Sequence, residues 1–190
     1  MFKSSVIVAS LAAALACVAF PSVATVIDFE DLAGKPFYDS LPANYAGIDW
    51  AGNFSAFDQQ QYPYTPHSGI VSVASNGETG GDSSFSFGKG VSFGGAWFAG
   101  TDGTTVAFEL YANNLLVSTT AALAISSTPG FLSSGYTGAV DRVKILESNG
   151  YYVFDDMAYT AAAVPEAETY ALMLAGLGVL GVVARRRKRL

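Results

Sequence analysis

The chain has 190 residues, 51% of them hydrophobic and only 14% charged, and its formal net charge is -6. That length holds one ordinary domain with address segments at its ends, so a multidomain assembly is excluded. Over residues 25–163, fourteen Asp or Glu face only Lys35, Lys89, Arg142 and Lys144, a net charge near -10 that excludes nucleic acid, whose phosphates need Lys and Arg. The 20 Gly, 13 Phe and 10 Tyr favour an extracellular β-rich domain over a cytosolic helical one.

In chain order, Lys3 supplies a positive start and residues 6–20 an apolar helical stretch, and Ser22-Val23-Ala24 places small residues at a cleavage site. Residues 1–24 therefore read as a signal peptide, removed by signal peptidase before Thr25. Cys17 lies inside it, so the mature chain has no disulfide, thiol nucleophile or cysteine ligand.

Residues 27–32 alternate apolar and acidic side chains with the period of a half-buried strand. A loop with Gly, two Pro, Asp and Asn follows to residue 46. Residues 45–57 are aromatic and broken by Gly52-Asn53, which suggests two short strands or a strand and an arm. Gln59, Gln60, Gln61, Tyr62, Pro63, Tyr64, Thr65, Pro66 and His67 form an exposed loop, and residues 69–74 a strand. Residues 83–87 and 91–98 alternate as two strands around Gly88-Lys89-Gly90. Residues 104–111 and 115–120 flank Ala112-Asn113-Asn114, a hairpin turn because Asn tolerates positive φ. Residues 121–127 are ambiguous, 130–135 a weak strand, and 141–146 and 151–159 clear ones. About ten short strands, without an amphipathic helix or a repeat, predict an all-β antiparallel sandwich over residues 25–160.

A linker at 161–163 leads to a tail over 164–190. It opens with Val164-Pro165-Glu166-Ala167-Glu168-Thr169, continues through an uncharged apolar run at 170–184, and ends with Arg185, Arg186, Arg187, Lys188 and Arg189. The run is shorter than the roughly 20 residues of a comfortable transmembrane helix. The basic cluster after it acts as a cytoplasmic stop, and its long stems extend the span by snorkelling. This arrangement resembles the PEP-CTERM sorting signal of Gram-negative exopolysaccharide producers, with Ala167 standing where the family has its second Pro. The resemblance implies transient holding in the inner membrane, removal of the tail by an exosortase, and delivery to the cell surface or exopolysaccharide matrix. A permanent C-terminal anchor is the alternative.

The opening and closing strands, with Tyr45-Ala46-Gly47-Ile48-Asp49-Trp50, resemble those of jelly-roll, galactose-binding-like domains. If the first and last strands pair, Glu30 and Asp31 approach Asp155 and Asp156. Oxygen-only groups of this kind suit calcium, and structural calcium near the chain ends is what the resemblance implies. Solvated carboxylates that protect a sheet edge are the competing reading. Tyr62, Tyr64 and Trp50, beside Asp58 and His67, are the candidate platforms for sugar rings. Trp50 and Trp97 are also side chains that a sandwich core takes up, the favoured reading for Trp97. His67 is the sole histidine and no nucleophile elbow or metal motif surrounds it, so a non-enzymatic, structural or adhesive protein with glycan contact is expected. A polysaccharide-active enzyme is the rival from another class.

Overall fold

The computed structural model describes residues 23–34, 39–58, 62–75, 83–161, 174–178, 180 and 185. Within them the strands are β1 (Ala24–Ile27), β2 (Asp39–Ser40), β3 (Ile48–Asp49), β4 (Phe54–Phe57), β5 (Ser72–Ser75) and β6 (Ser84–Gly100). They continue as β7 (Thr105–Ala112), β8 (Leu115–Thr119), β9 (Leu123–Ala124), β10 (Gly130–Ser133), β11 (Val140–Ser148) and β12 (Tyr152–Ala161). All pair antiparallel, in the order β2-β4-β5-β12-β6-β11-β7-β8, with β1 on β12, β3 and β10 on β6, and β9 on β7. The result is a sandwich-like β domain, as the sequence predicts, and its first and last strands do pair, Ile27 opposite Met157.

The hairpin at Asn113-Asn114 forms as expected, both residues left-handed at φ 52° and 63°. Two expectations fail. The alternation at 27–32 does not give one strand. Phe29 turns left-handed at φ 58°, the Asp28 carboxylate accepts the Glu30 amide, and Glu30–Leu32 becomes a 3₁₀ turn. The pattern fails because Phe29 is drawn inward, where its ring meets Tyr45, Trp50 and Phe154 with centroids 5.8–5.9 Å away. Nor do residues 83–98 form two strands, since β6 passes through Gly88-Lys89-Gly90 as one 17-residue strand. Its first half is held by β11 and β3 and its second by β12 and β10, and between them Phe87 to Gly90 lie opposite Asp141 of β11 alone, so the glycines form a bulge within the strand rather than a break in it.

The core side of β6 changes parity along the strand. Phe85, Phe87, Val91 and Phe93 are buried in its first half, but Ala96 and Phe98 in its second. Residues on a strand alternate faces, so this switch needs irregular pairing. Two irregularities supply it. Asp156 and Met157 lie between the partners of Trp97 and Gly95, opposite Ala96 alone, and Gly94 is extra between the partners of Ala158 and Tyr159. Both strands shift together, so Met157 continues the core that Tyr152 and Phe154 begin.

The tail lies largely outside the described residues, and residues 174–178 within it are helical. Among the described residues no helix is long and apolar enough to cross a membrane. The signal-peptide expectation, apart from Val23 and Ala24, also lies outside them.

Candidate functional site

The double irregularity turns Trp97 away from the core. By parity Trp97 would have joined Phe93 inside; instead it sits half-buried on the opposite face of the sheet, across from Asp155 of β12 and Phe131 of β10. The rings of Trp97 and Phe131 are 5.4 Å apart, and Phe131 is 42% exposed. On the same face Phe57, Ala99 and Val153 make a small second cluster that Tyr64 and Ala74 cover.

The segment after β4 folds over this face as an arm. Tyr64 closes the small cluster and its hydroxyl meets Thr101 Oγ1 at 3.4 Å. Further along, the His67 imidazole lies flat on the Trp97 indole, centroids 3.6 Å apart and planes at 11°. His67 Nδ1 contacts Asp156 Oδ2 at 2.5 Å, and the Ser68 hydroxyl donates to Asp156 Oδ1 at 3.1 Å. The Ser68 amide donates to Asp155 Oδ2 at 2.8 Å, and the Asp156 amide to Asp155 Oδ1 at 2.6 Å. Glu30 holds the end of the arm, its Oε1 accepting from the Ile70 amide at 2.9 Å and the Val71 amide at 2.8 Å. Gly69 is necessary here: at φ +52° a Cβ would lie 2.1 Å from Glu30 Cδ.

Glu30, Asp155 and Asp156 therefore act on one segment, Glu30 and Asp155 through amide donors and Asp156 through the His67 ring nitrogen and the Ser68 hydroxyl. Asp31 turns elsewhere and accepts the hydroxyl of Tyr45, whose pKa is pushed well up, first by burial and then by that contact. Among the described residues no three His, Cys, Asp or Glu gather into a group that could hold a metal ion. Of the sugar-platform candidates, Trp50 is corrected to a core residue: its indole is fully buried and its Nε1–H donates to the Tyr45 carbonyl at 3.0 Å. Tyr62 is 83% exposed, as a platform requires. Asp58 Oδ2 accepts the Gly34 amide at 2.6 Å, and Gln59, Gln60 and Gln61 lie outside the described residues. Sequence reasoning missed the pairing of His67 with Trp97. Its signal was the two doublets, Gly94-Gly95 and Asp155-Asp156, that interrupt otherwise regular strands.

His67, Ser68 and Asp156 are the residue types of a hydrolytic triad, but their connections differ from one. In a triad the hydroxyl bonds to the imidazole that deprotonates it. Here both Ser68 Oγ and His67 Nδ1 engage the carboxylate.

Burial pushes the Asp155 carboxyl up to about 6; the Ser68 amide opposes that rise and the Asp156 charge adds to it. The folded state thus binds this proton more tightly than the unfolded chain, so the stabilisation is complete at low pH and is lost as pH rises from about 4 to about 6. We expect Asp155 to make the domain about 2 kcal/mol less stable at pH 7 than at pH 4. Urea unfolding at both pH values should show that slope in the wild type and a flatter one in Asp155→Asn. Equal slopes in the two proteins would refute the assignment.

The last strand leads directly into the tail: β12 ends at Ala161, and residues 163–188 match the family model of the PEP-CTERM protein-sorting motif. The chain carries a PEP-CTERM sorting tail. The match includes Pro165 and Glu166, spans Ala167, and covers four of the five cations that end the chain, Arg185 to Lys188. The PEP-CTERM tail marks the chain for exosortase recognition and export through a membrane-associated sorting system. No curated protein matches the chain.

Proposed function

We propose that the β domain is the cargo of this tail, a structural or adhesive component of the cell surface or exopolysaccharide matrix, without enzymatic activity. The single observation that carries this reading is the junction: the sorting match begins two residues after β12 ends, so nothing but a short linker separates domain and address. The N-terminal segment then serves as signal peptide, signal peptidase acts first, and the exosortase releases the domain from the inner membrane. The sandwich follows a jelly-roll, galactose-binding-like plan in this proposal. Glycan contact falls to the exposed aromatics about the arm, Tyr62 and Phe131 with the His67–Trp97 stack, since flat apolar rings suit the apolar faces of sugars.

The test is the intact mass and cell fraction of the protein made in a host with its own exosortase. We expect a species that begins at Thr25, lacks the apolar run and the Arg185–Arg189 cluster, and lies outside the inner membrane. A species that keeps the cluster and stays in the inner membrane would replace sorting with permanent anchoring. A glycan array probed with the released protein and with Tyr62→Ala and Phe131→Ala variants then tests the contact, which both substitutions should weaken.

A further inference from the structure

The bulge of β6 stands beside a groove. Ile48 of β3 pairs with Phe87, Ala161 of β12 and Val140 of β11 pair with Val91, and Gly88, Lys89 and Gly90 between them have no partner residue in any described strand. The groove, of about 300 Å³, is lined by Gly47, Phe87, Gly88, Lys89, Val91 and Tyr159. The Phe87 and Tyr159 rings meet there at 5.2 Å, tilted by 49°. Gly47 and Gly88 add no side chain to fill it, and a Cβ on either would enter open space. Lys89 is exposed and, among the described residues, pairs with no carboxylate. The acids on the flanking strands are turned to backbone instead. Asp49 Oδ1 accepts the Ala51 amide at 3.0 Å, and Asp141 Oδ2 the Asn113 amide at 2.6 Å.

We propose that this groove binds one carboxylated sugar ring, a uronate of a surface or matrix glycan. Such a site gives the glycan contact proposed above a ligand class and rests on that reading, but it uses residues other than those of the arm. Three features select the ligand. The first is shape: the Phe87 and Tyr159 rings offer the flat apolar surface that the C–H face of a pyranose needs, and the bulge backbone and Tyr159 hydroxyl lie beside it for hydrogen bonds. The second is charge. The Lys89 ammonium attracts a carboxylate, whereas a neutral sugar gains little from it. The third is size, since about 300 Å³ is the lower end of small-molecule sites and takes a single ring. The domain's charge near -10 opposes a densely charged polyanion. Charges more than about 8 Å away are screened at physiological salt, so a lone carboxylate at Lys89 is governed by the lysine.

The full chain in detergent micelles, titrated with methyl glucuronide and followed by amide chemical shifts, tests this without any exosortase. The amides of Gly88 to Gly90 and of Tyr159 should shift with a Kd on the order of 1 mM, the scale for one ring in an open groove. Methyl glucoside, which lacks the carboxylate, should bind about fivefold more weakly, and Lys89→Gln should bring the glucuronide to that level, the scale of an exposed charge pair. Lys89→Arg should keep most of the affinity, and Lys144→Gln all of it. Amides of β7 and β11 report whether each variant is folded. Four results would overturn the proposal: no shift at about ten times that concentration, equal binding of the two sugars, no response to Lys89→Gln, or acetate alone matching the glucuronide, which would mean a simple anion site. Shifts confined to the arm, Tyr62 to Ile70, would also overturn it while leaving the contact proposed above in place. Shifts at the groove with a silent arm would count only against that earlier contact.

Discussion

Trp50→Ala should lower the stability of the domain by about 3–5 kcal/mol, the range for removing a large aromatic from a core. The indole is fully buried, and its ring lies 5.1 Å from Phe85, 5.5 Å from Phe54, 5.9 Å from Phe29 and 6.2 Å from Phe154. These partners come from the 3₁₀ turn region, β4, β6 and β12, so one side chain joins segments distant in sequence. Truncation leaves a cavity between rings too rigid to collapse into it, and deprives the Tyr45 carbonyl of the indole N–H. Against a typical stability of about 5–15 kcal/mol, the loss is a large fraction of the whole. Thermal unfolding should show a midpoint lower by roughly 10 °C or more. Trp50→Phe should lose less, because it keeps most of the volume. A midpoint within a degree or two of wild type would mean that Trp50 is not the centre of the core.

Gly95→Ala should be comparably damaging, by about 3 kcal/mol, although it adds a single methyl group. Gly95 has φ +137°, and a Cβ there would lie 2.1 Å from the Leu132 carbonyl oxygen and 3.0 Å from the Phe131 ring. The nearest obstacle is backbone, so relief requires β10 to move off β6 at the pairs Ser133–Gly95 and Leu132–Ala96. Gly94→Ala is the matched control. Its Cβ would meet the Ala158 carbonyl oxygen at 3.1 Å, with no positive φ, and should cost about 1 kcal/mol or less. Urea midpoints of the two variants should differ clearly; equal midpoints would remove the argument that the positive φ and close β10 backbone require glycine at position 95. The same substitution should also disturb Trp97, which lies two residues away and depends on that switch to face outward. Loss of near-UV signal from the His67–Trp97 stack would report it.

Much of the strand plan was legible because local chemistry and tertiary environment agree. The 141–146 alternation becomes β11 (Val140–Ser148), and the Asn113-Asn114 turn closes the β7–β8 hairpin, since nothing in the core competes with either local preference. Residues 27–32 were misread because Phe29 has a better partner in the Trp50 and Phe154 rings than strand pairing offers. The candidate site was legible only in its residue types. Glu30, Asp155, Asp156 and His67 were singled out, but their shared hold on one arm was not, because each hydrogen bond joins residues between 40 and 89 positions apart.

The sequence by itself determined the β-rich class, the net acidic charge and the sorting address. These follow from composition, period-two alternation and the order of motif, apolar run and basic cluster, all of which act locally along the chain. Only the tertiary structure decided which tryptophan is core and which is surface. Alternation tells which residues share a face, but a bulge reverses that relation, and bulges arise where two distant strands must fit each other. Trp97 went outside because β6 and β12 shift phase together at Gly94-Gly95 and Asp155-Asp156, and that agreement exists only once the two strands are paired; Trp50 went inside because the rings of Phe29, Phe54, Phe85 and Phe154, from distant segments, close around it.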